Sequence, residues 1–123
     1  MAGDSRSDCP ISCALDLLGD RWTLVVLRDL ILANKGRFAD LGAQEGIASN
    51  ILSDRLGRLE CAGLVTKERD PDDGRKRIYR PTPKANALAP VLLELAIWGR
   101  AHGGGSCEQG MARLESLAAE ARD

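Results

Sequence analysis

GIASNILSDRLGRLECAGLV, residues 46–65, is the stretch on which the fold turns. At 3.6 residues per turn, Ala48, Leu52, Leu56 and Leu59 fall within one arc, while Asn50, Ser53, Asp54, Gly57 and Cys61 gather on the opposite side. The spacing predicts a helix over 48–62, closed by Gly63 at the position after its C-cap. Immediately afterwards the period drops to two. LVTKERD (64–70) alternates, and PDDG (71–74) reads as a turn in which proline presets φ and glycine takes a positive φ. RKRIYR (75–80) then returns as a second strand, giving a hairpin that carries Lys67, Arg69, Arg75, Lys76, Arg77 and Arg80.

Upstream, CPISCALDLLG (9–19) predicts a short helix with Pro10 near its start and Gly19 at its end. Asp20 has the place of an N-cap for a helix over 21–33, whose broad apolar face (Trp22, Leu24, Val25, Leu27, Leu30, Ile31) suits a central element. A third, short helix is expected at 38–44, with Phe38 and Leu41 turned inward. Downstream, Thr82 and Pro83 open a long helix to about residue 102, kinked at Pro90. Its segment 88–99 is apolar nearly all round, and in so small a domain the second apolar face calls for a second copy of the chain. Leu88, Val91, Leu92, Leu95 and Trp98 are the candidates for that interface. GlyGlyGly at 103–105 reads as a hinge and SCEQ (106–109) as a capping box. The last helix carries Met111, Leu114, Leu117 and Ala121 on one stripe, placing Leu114 and Leu117 at the same interface. Residues 1–8 are expected to be a disordered tail, 9–102 the domain, and 103–123 hinge plus dimer-packing helix.

A chain of 123 residues suffices for one domain, and 44% hydrophobic content suffices for its core. Only 3% of residues are aromatic, so the core is mostly Leu, Ala, Val and Ile, which favours helices. The net charge of −1 gives no hint of a polyanion partner, but its distribution does. Residues 49–84 hold nine Lys or Arg against six Asp or Glu, a net +3 that leaves −4 for the rest. With no secretory or membrane-spanning run, a cytoplasmic location is expected, with the four cysteines reduced by default.

The fold class that follows is mostly α with a small β-hairpin wing. Short helix, glycine-containing turn (GAQEGIA, 42–48), second helix and basic hairpin make the winged helix-turn-helix plan. The residues ALDLLGDRWTLVVLRDL (14–30), RFADL (37–41), LSDRLGRLECAGLV (52–65) and PVLLELAIWG (90–99), with Cys9–Pro10, Gly46–Ile47 and Tyr79-x-x-Thr82, resemble the HxlR type of winged-helix transcriptional regulators, relatives of the MarR type. The resemblance spans residues 9 to 100 with order and spacing kept, and it implies a dimeric, DNA-binding regulator, a repressor by default. The wing departs from it: RDPDDGRKRIYR is more polar and closer to MarR-type wings, so its DNA contacts carry over less directly.

Ser49, Asn50, Ser53 and Asp54 are the candidates to face base edges, since Asn can pair bidentately with adenine, Ser serves several bases and Asp accepts from cytosine N4. Arg55 and Arg58 flank the apolar stripe, as phosphate clamps or as salt-bridge partners of neighbouring acids. Lys35 and Arg37 precede the third helix, as phosphate contacts or plain surface; Arg75, Lys76 and Arg77 are the wing's phosphate candidates, with Asp70, Asp72 and Asp73 blunting their field. Cys9 and Cys13 stand four apart on the first helix. The resemblance implies an oxidant- or electrophile-sensing role for Cys9, which a helix N-terminus would favour by lowering its pKa; the alternative for both is a small buried hydrophobe. Cys61 and Cys107 read as incidental. A metal site from Cys9, Cys13, His102 and Cys107 has irregular spacing in its second pair, and neither a metal nor another cofactor is expected. No nucleophile, phosphate-binding loop or paired catalytic acid stands in a recognisable setting, so enzymatic activity is not expected. The expected partners are double-stranded DNA, a second copy and, left open, a small-molecule effector. The competing readings are a winged-helix module that binds protein instead of DNA, and a thiol or metal sensor.

Overall fold

The computed structural model describes residues 8–103 and 110–122. The tail before residue 8, most of the triglycine, the capping box and Cys107 lie outside the described residues.

Helix α1 spans Pro10–Leu18 and α2 Arg21–Ala33. The Asp20 carboxylate starts α2 by accepting from the amides of Trp22 (3.0 Å) and Thr23 (3.3 Å) and from the Thr23 hydroxyl. Asn34, in the left-handed region at φ 65°, ends it. As its wide apolar face predicts, α2 runs through the core: Val26, Leu27, Leu30 and Ile31 are buried. The expected third helix does not form. A 3₁₀ turn at Phe38–Asp40 gives way to a turn over 41–46, because Gly42 takes a left-handed φ of 69° that stops helical propagation. Leu41 is buried and Phe38 half-buried, so the inward pair expected there is met without a helix.

Helix α3 (Ser49–Cys61) buries Leu52, Leu56 and Leu59 against α2 and the sheet, whereas Ala48 stays exposed as its N-cap. Gly63 adopts φ 81° after the helix, as its position predicts. The sheet has three antiparallel strands rather than two. Strand β1 is Gly36–Arg37, β2 is Val65–Arg69 and β3 is Arg77–Pro81, in the order β1-β3-β2. Val65 pairs with Pro81 and Arg69 with Arg77; Gly36 pairs with Tyr79. After buried Val65, residues 66–69 of β2 are all exposed, because the hairpin leaves the core and has no layer beneath it. Gly74 is not among the glycines with positive φ. Carboxylates shape the hairpin tip instead, since Asp70 accepts from the Asp72 amide (2.8 Å) and Asp73 from the Arg75 amide (3.1 Å).

The long C-terminal helix is broken. Helix α4 (Pro83–Asn86) and helix α5 (Ala89–Trp98) are separate, and a π-helical turn covers Gly99–Gly103. Pro90 lies in the first turn of α5, where its missing N–H does no harm, so it starts a helix instead of kinking one. Thr82 caps α4 by accepting from the Ala85 amide while its hydroxyl donates to the Gly63 carbonyl, tying the wing's exit to the end of α3.

Helix α6 (Met111–Arg122) packs on α5 of its own chain and buries Met111, Leu114 and Ala118. Just before α6, Gly110 lies close against α2, where a Cβ would meet Leu32 at 3.1 Å. Leu92 and Leu114, expected at a subunit boundary, are therefore core residues of the single chain. Leu88 and Leu117 are half-buried and Ala121 is exposed. The apolar residues left outward are Ile11 and Leu15 on α1, and Val91, Leu95, Ile97 and Trp98 on α5.

Candidate nucleic-acid interface

The solvent side of α3 carries Ser49, Asn50, Ser53 and Asp54, all exposed, as the wheel predicts. Ala48 supplies no capping oxygen, so the first amides of α3 have no side-chain acceptor. The turn that delivers this helix end is held from α2. Arg28 binds Glu45 bidentately at 2.8 and 2.9 Å and also donates to Asp29, whose second oxygen accepts from the Gly42 amide at 2.8 Å. Hydrogen bonds to Glu45 and Asp29 outweigh burial and raise the Arg28 pKa, while the Arg28 contact lowers that of Glu45, so both stay charged.

Arg55 is the salt-bridge alternative, not a free clamp. Its Nε lies 2.7 Å from Asp20 and its Nη1 2.6 Å from Asp54. Burial works to raise the Asp20 pKa, but hydrogen bonds from Arg55, Thr23 and the Trp22 amide prevail and hold it at about 2, below its ordinary 3.8. One carboxylate thus caps α2 and anchors α3. Arg58 is exposed and, among the described residues, makes no ion pair. It borders a groove of about 750 Å³ between α1 and the outward side of α3, where Cys13 and Cys61 also lie. Cys61, expected to be incidental, therefore shares a groove with a candidate sensing thiol.

At the wing, Arg37 is engaged with Asp70 at 2.5 Å. Asp70 is 1% exposed, and its amide donates to the Lys76 carbonyl at 3.0 Å. The Asp72 amide lowers the Asp70 pKa against the opposing effect of burial, with help from Arg37. Arg75 reaches Asp73 only at 3.4 Å and is otherwise exposed. Lys76 and Arg77 are exposed and, among the described residues, make no ion pair, and the same holds for Lys35 before β1. Arg80 and Lys67 pair with Glu68 (2.6 Å) and Glu60 (3.8 Å). Cys9 is the exposed N-cap of α1, and the amides of Ser12 and Ile11 lower its pKa. Among the described residues no three His, Cys, Asp or Glu side chains form a metal-binding group, so Cys9, Cys13 and His102 do not converge.

Arg28, Asp29 and Glu45 are the supporting residues that sequence reasoning missed, while Asp20 was read only as an N-cap and Asp70 only as an acid beside the wing, without their ties to Arg55 and Arg37. The signal for the first two was Arg28–Asp29, the charged break in the apolar run of α2.

A recognition-type helix entered through a glycine turn and followed by a three-stranded sheet with a basic hairpin defines a winged helix-turn-helix transcriptional regulator. The chain belongs to the HxlR-like helix-turn-helix family, whose profile matches residues 17–106. It is 38% identical over 93 residues to an HTH-type transcriptional regulator of Halalkalibacterium halodurans, covering 75% of this chain and 82% of that one. Among solved structures, the reduced form of the Bacillus subtilis regulator YodB matches with a TM-score of 0.63 at 30% identity, over 85% of this chain and 99% of that one. The oxidised form of HypR, described as a redox regulator, matches with a TM-score of 0.66 at 27% identity, over 76% and 97%. Transcriptional regulators of this family are not enzymes. Among the described residues no helix is long and apolar enough to cross a membrane.

Proposed function

We propose that the protein is a sequence-specific DNA-binding repressor, acting in the cytosol as a homodimer on a palindromic operator. The observation that carries this reading is the exposed start of α3, without a side-chain cap, with Ser49 and Asn50 on its first turn, in a chain whose wing holds Lys76 and Arg77 free of ion pairs among the described residues. Helix-start amides and free cations suit phosphates, and Ser and Asn suit base edges. Ser53 and Asp54 lie one turn further along, and with Arg55 engaged by Asp20 the phosphate contacts fall to Lys35, Arg58, Lys76 and Arg77. The outward apolar residues of α1 and α5 support pairing of two copies, because six large side chains exposed on two helices exceed what a monomer's surface ordinarily scatters. Two α3 helices then enter successive major grooves about 34–36 Å apart.

Control by thiol oxidation at Cys9 is supported by its exposure at a helix start and its lowered pKa, and by the likeness to HypR and to YodB, which has been solved in diamide-treated and quinone-bound forms. Anisotropy titration against the gene's own upstream DNA, reduced and oxidised, tests the whole reading. Tight binding that is lost on oxidation in the native protein, and retained in Cys9→Ser, is the expected result. Affinity no greater than for random DNA in either state would reject the regulator of DNA in favour of a protein-docking winged helix.

A further inference from the structure

We propose that Asp54 selects a cytosine in each half-site, and that Arg55 is the positioning residue that leaves it a single carboxylate oxygen with which to do so. The inference deepens the DNA reading above and rests on it. Of the four base-edge candidates on α3, Asp54 is the one whose side chain is held by another among the described residues: Arg55 Nη1 donates to Asp54 Oδ2 at 2.6 Å. Arg55 is itself fixed from behind, its Nε donating to Asp20 Oδ2 at 2.7 Å. That oxygen also accepts from the amides of Trp22 and Thr23, and the other Asp20 oxygen from the Thr23 hydroxyl, so this carboxylate cannot turn without breaking the cap of α2. The guanidinium between them is planar, with donors that diverge at fixed angles. A carboxylate anchored in the body of the domain therefore fixes a second one on the open side of α3. Pinning α3 to Asp20 needs only Nε. Asp54 and Arg55 are neighbours on one helix, so the bond between them adds no tertiary contact, and what it does is orient Asp54.

With Oδ2 engaged, Oδ1 remains as an acceptor that makes no hydrogen bond among the described residues. Guanine and thymine present only acceptors on the major-groove edge, and a carboxylate is repelled by them; amino donors belong to cytosine N4 and adenine N6. The adenine amino group lies between two acceptors, its own N7 and O4 of the paired thymine. The cytosine amino group has O6 of the paired guanine on one side and only C5–H on the other. One oxygen held in place thus fits cytosine and is penalised at the other three bases. The Arg55 cation also offsets the charge that Asp54 brings close to the phosphates, so the carboxylate can approach the base edge.

The test begins by enriching duplexes with a randomised core of about three helical turns on the full chain, since two half-sites must fit. One position in each half-site should require cytosine, with the other bases costing about fivefold or more in affinity. Asp54→Asn has the same shape but can donate, and should cut that preference to about twofold or less while the remaining positions keep theirs. Replacing this cytosine by 2-pyrimidinone, which lacks the 4-amino group, should weaken the native protein clearly more than Asp54→Asn, the difference isolating the contact. Arg55→Lys keeps the charge without the fork and should lower the cytosine preference by about threefold, at that position alone. A merely structural role for Arg55 would spread its loss over every position. Enrichment of a sequence with no cytosine that depends on Asp54, or an equal loss from 2-pyrimidinone in both proteins, overturns the proposal and leaves the DNA reading standing. A native cytosine preference in Arg55→Lys overturns the positioning role. Enrichment of no sequence at all refutes the DNA reading, and the proposal with it.

Discussion

On the reading proposed above, the ion pairing of the interface sets how steeply DNA binding depends on salt. Of the seven cations that the sequence offers to phosphate, Arg37, Arg55 and Arg75 have carboxylate partners, leaving Lys35, Arg58, Lys76 and Arg77 without one among the described residues. Four free cations per protomer make eight in a dimer, and at about 0.9 per neutralised phosphate the slope of log K against log salt is about −7. Were all seven used, it would be about −13. Between about 50 and about 200 mM salt the first value means a loss of about 10⁴-fold in affinity and the second a loss of nearly 10⁸-fold. Replacing Lys76 and Arg77 together by Ala removes four contacts per dimer and should flatten the slope by about 3.6. Arg55→Ala should leave the slope unchanged while lowering stability. Anisotropy titrations of one operator duplex across salt concentrations read these values directly. A native slope near −13, or a flattening by Arg55→Ala as large per residue as that of the wing variant, would mean that the ion pairs open on DNA, and would refute the reasoning.

Removal of the Asp20 carboxylate should cost about 1–3 kcal/mol, combining a lost cap with a lost anchor for Arg55. Because the folded Asp20 pKa is about 2 against an ordinary 3.8, its contribution is complete above that ordinary value and disappears as pH falls toward 2. Thermal melts of Asp20→Asn should therefore lack part of the native protein's acid sensitivity in that window. Gly42→Ala meets both a left-handed φ and a Cβ contact of 2.7 Å with Ile47, and should destabilise by at least about 1–2 kcal/mol in chemical denaturation. Trp98→Ala, at a residue 64% exposed, should weaken dimerisation by about tenfold or more in sedimentation equilibrium with little loss of fold stability. Leu114→Ala should instead cost about 2–5 kcal/mol of folding stability.

The elements with strong local signals were legible in the sequence. Asp20 with the stripe of α2 gave that helix its bounds, and Leu52, Leu56 and Leu59 gave the inward side of α3. What escaped depends on contacts between distant residues. Strand β1 is two residues long and exists only because β3 lies beside it, so no periodicity could announce it. The helix expected at 38–44 yields to a glycine turn whose hold comes from Arg28 and Asp29 on another helix. Leu92 and Leu114 read as surplus apolar surface until α6 is seen to fold back on α5, which a one-dimensional stripe cannot specify. In the candidate site, residue types and exposure were readable on α3, but which arginines were already engaged was not. Arg37 and Asp70 are 33 positions apart, and Asp20 and Arg55 are 35 apart.

Three of the seven interface cations are paired with carboxylates on their own chain, and on the reading proposed above this also bears on how quickly the protein would find DNA. Paired charges cancel beyond a few ångströms, and the chain as a whole carries −1. The net +3 over residues 49–84 is offset by −4 elsewhere, so the pull on a distant duplex is modest and encounter gains only limited electrostatic guidance. On that reading, residence on the operator draws on short-range fit at the start of α3 together with the phosphate contacts of Lys35, Arg58, Lys76 and Arg77, and discrimination between sites falls to α3.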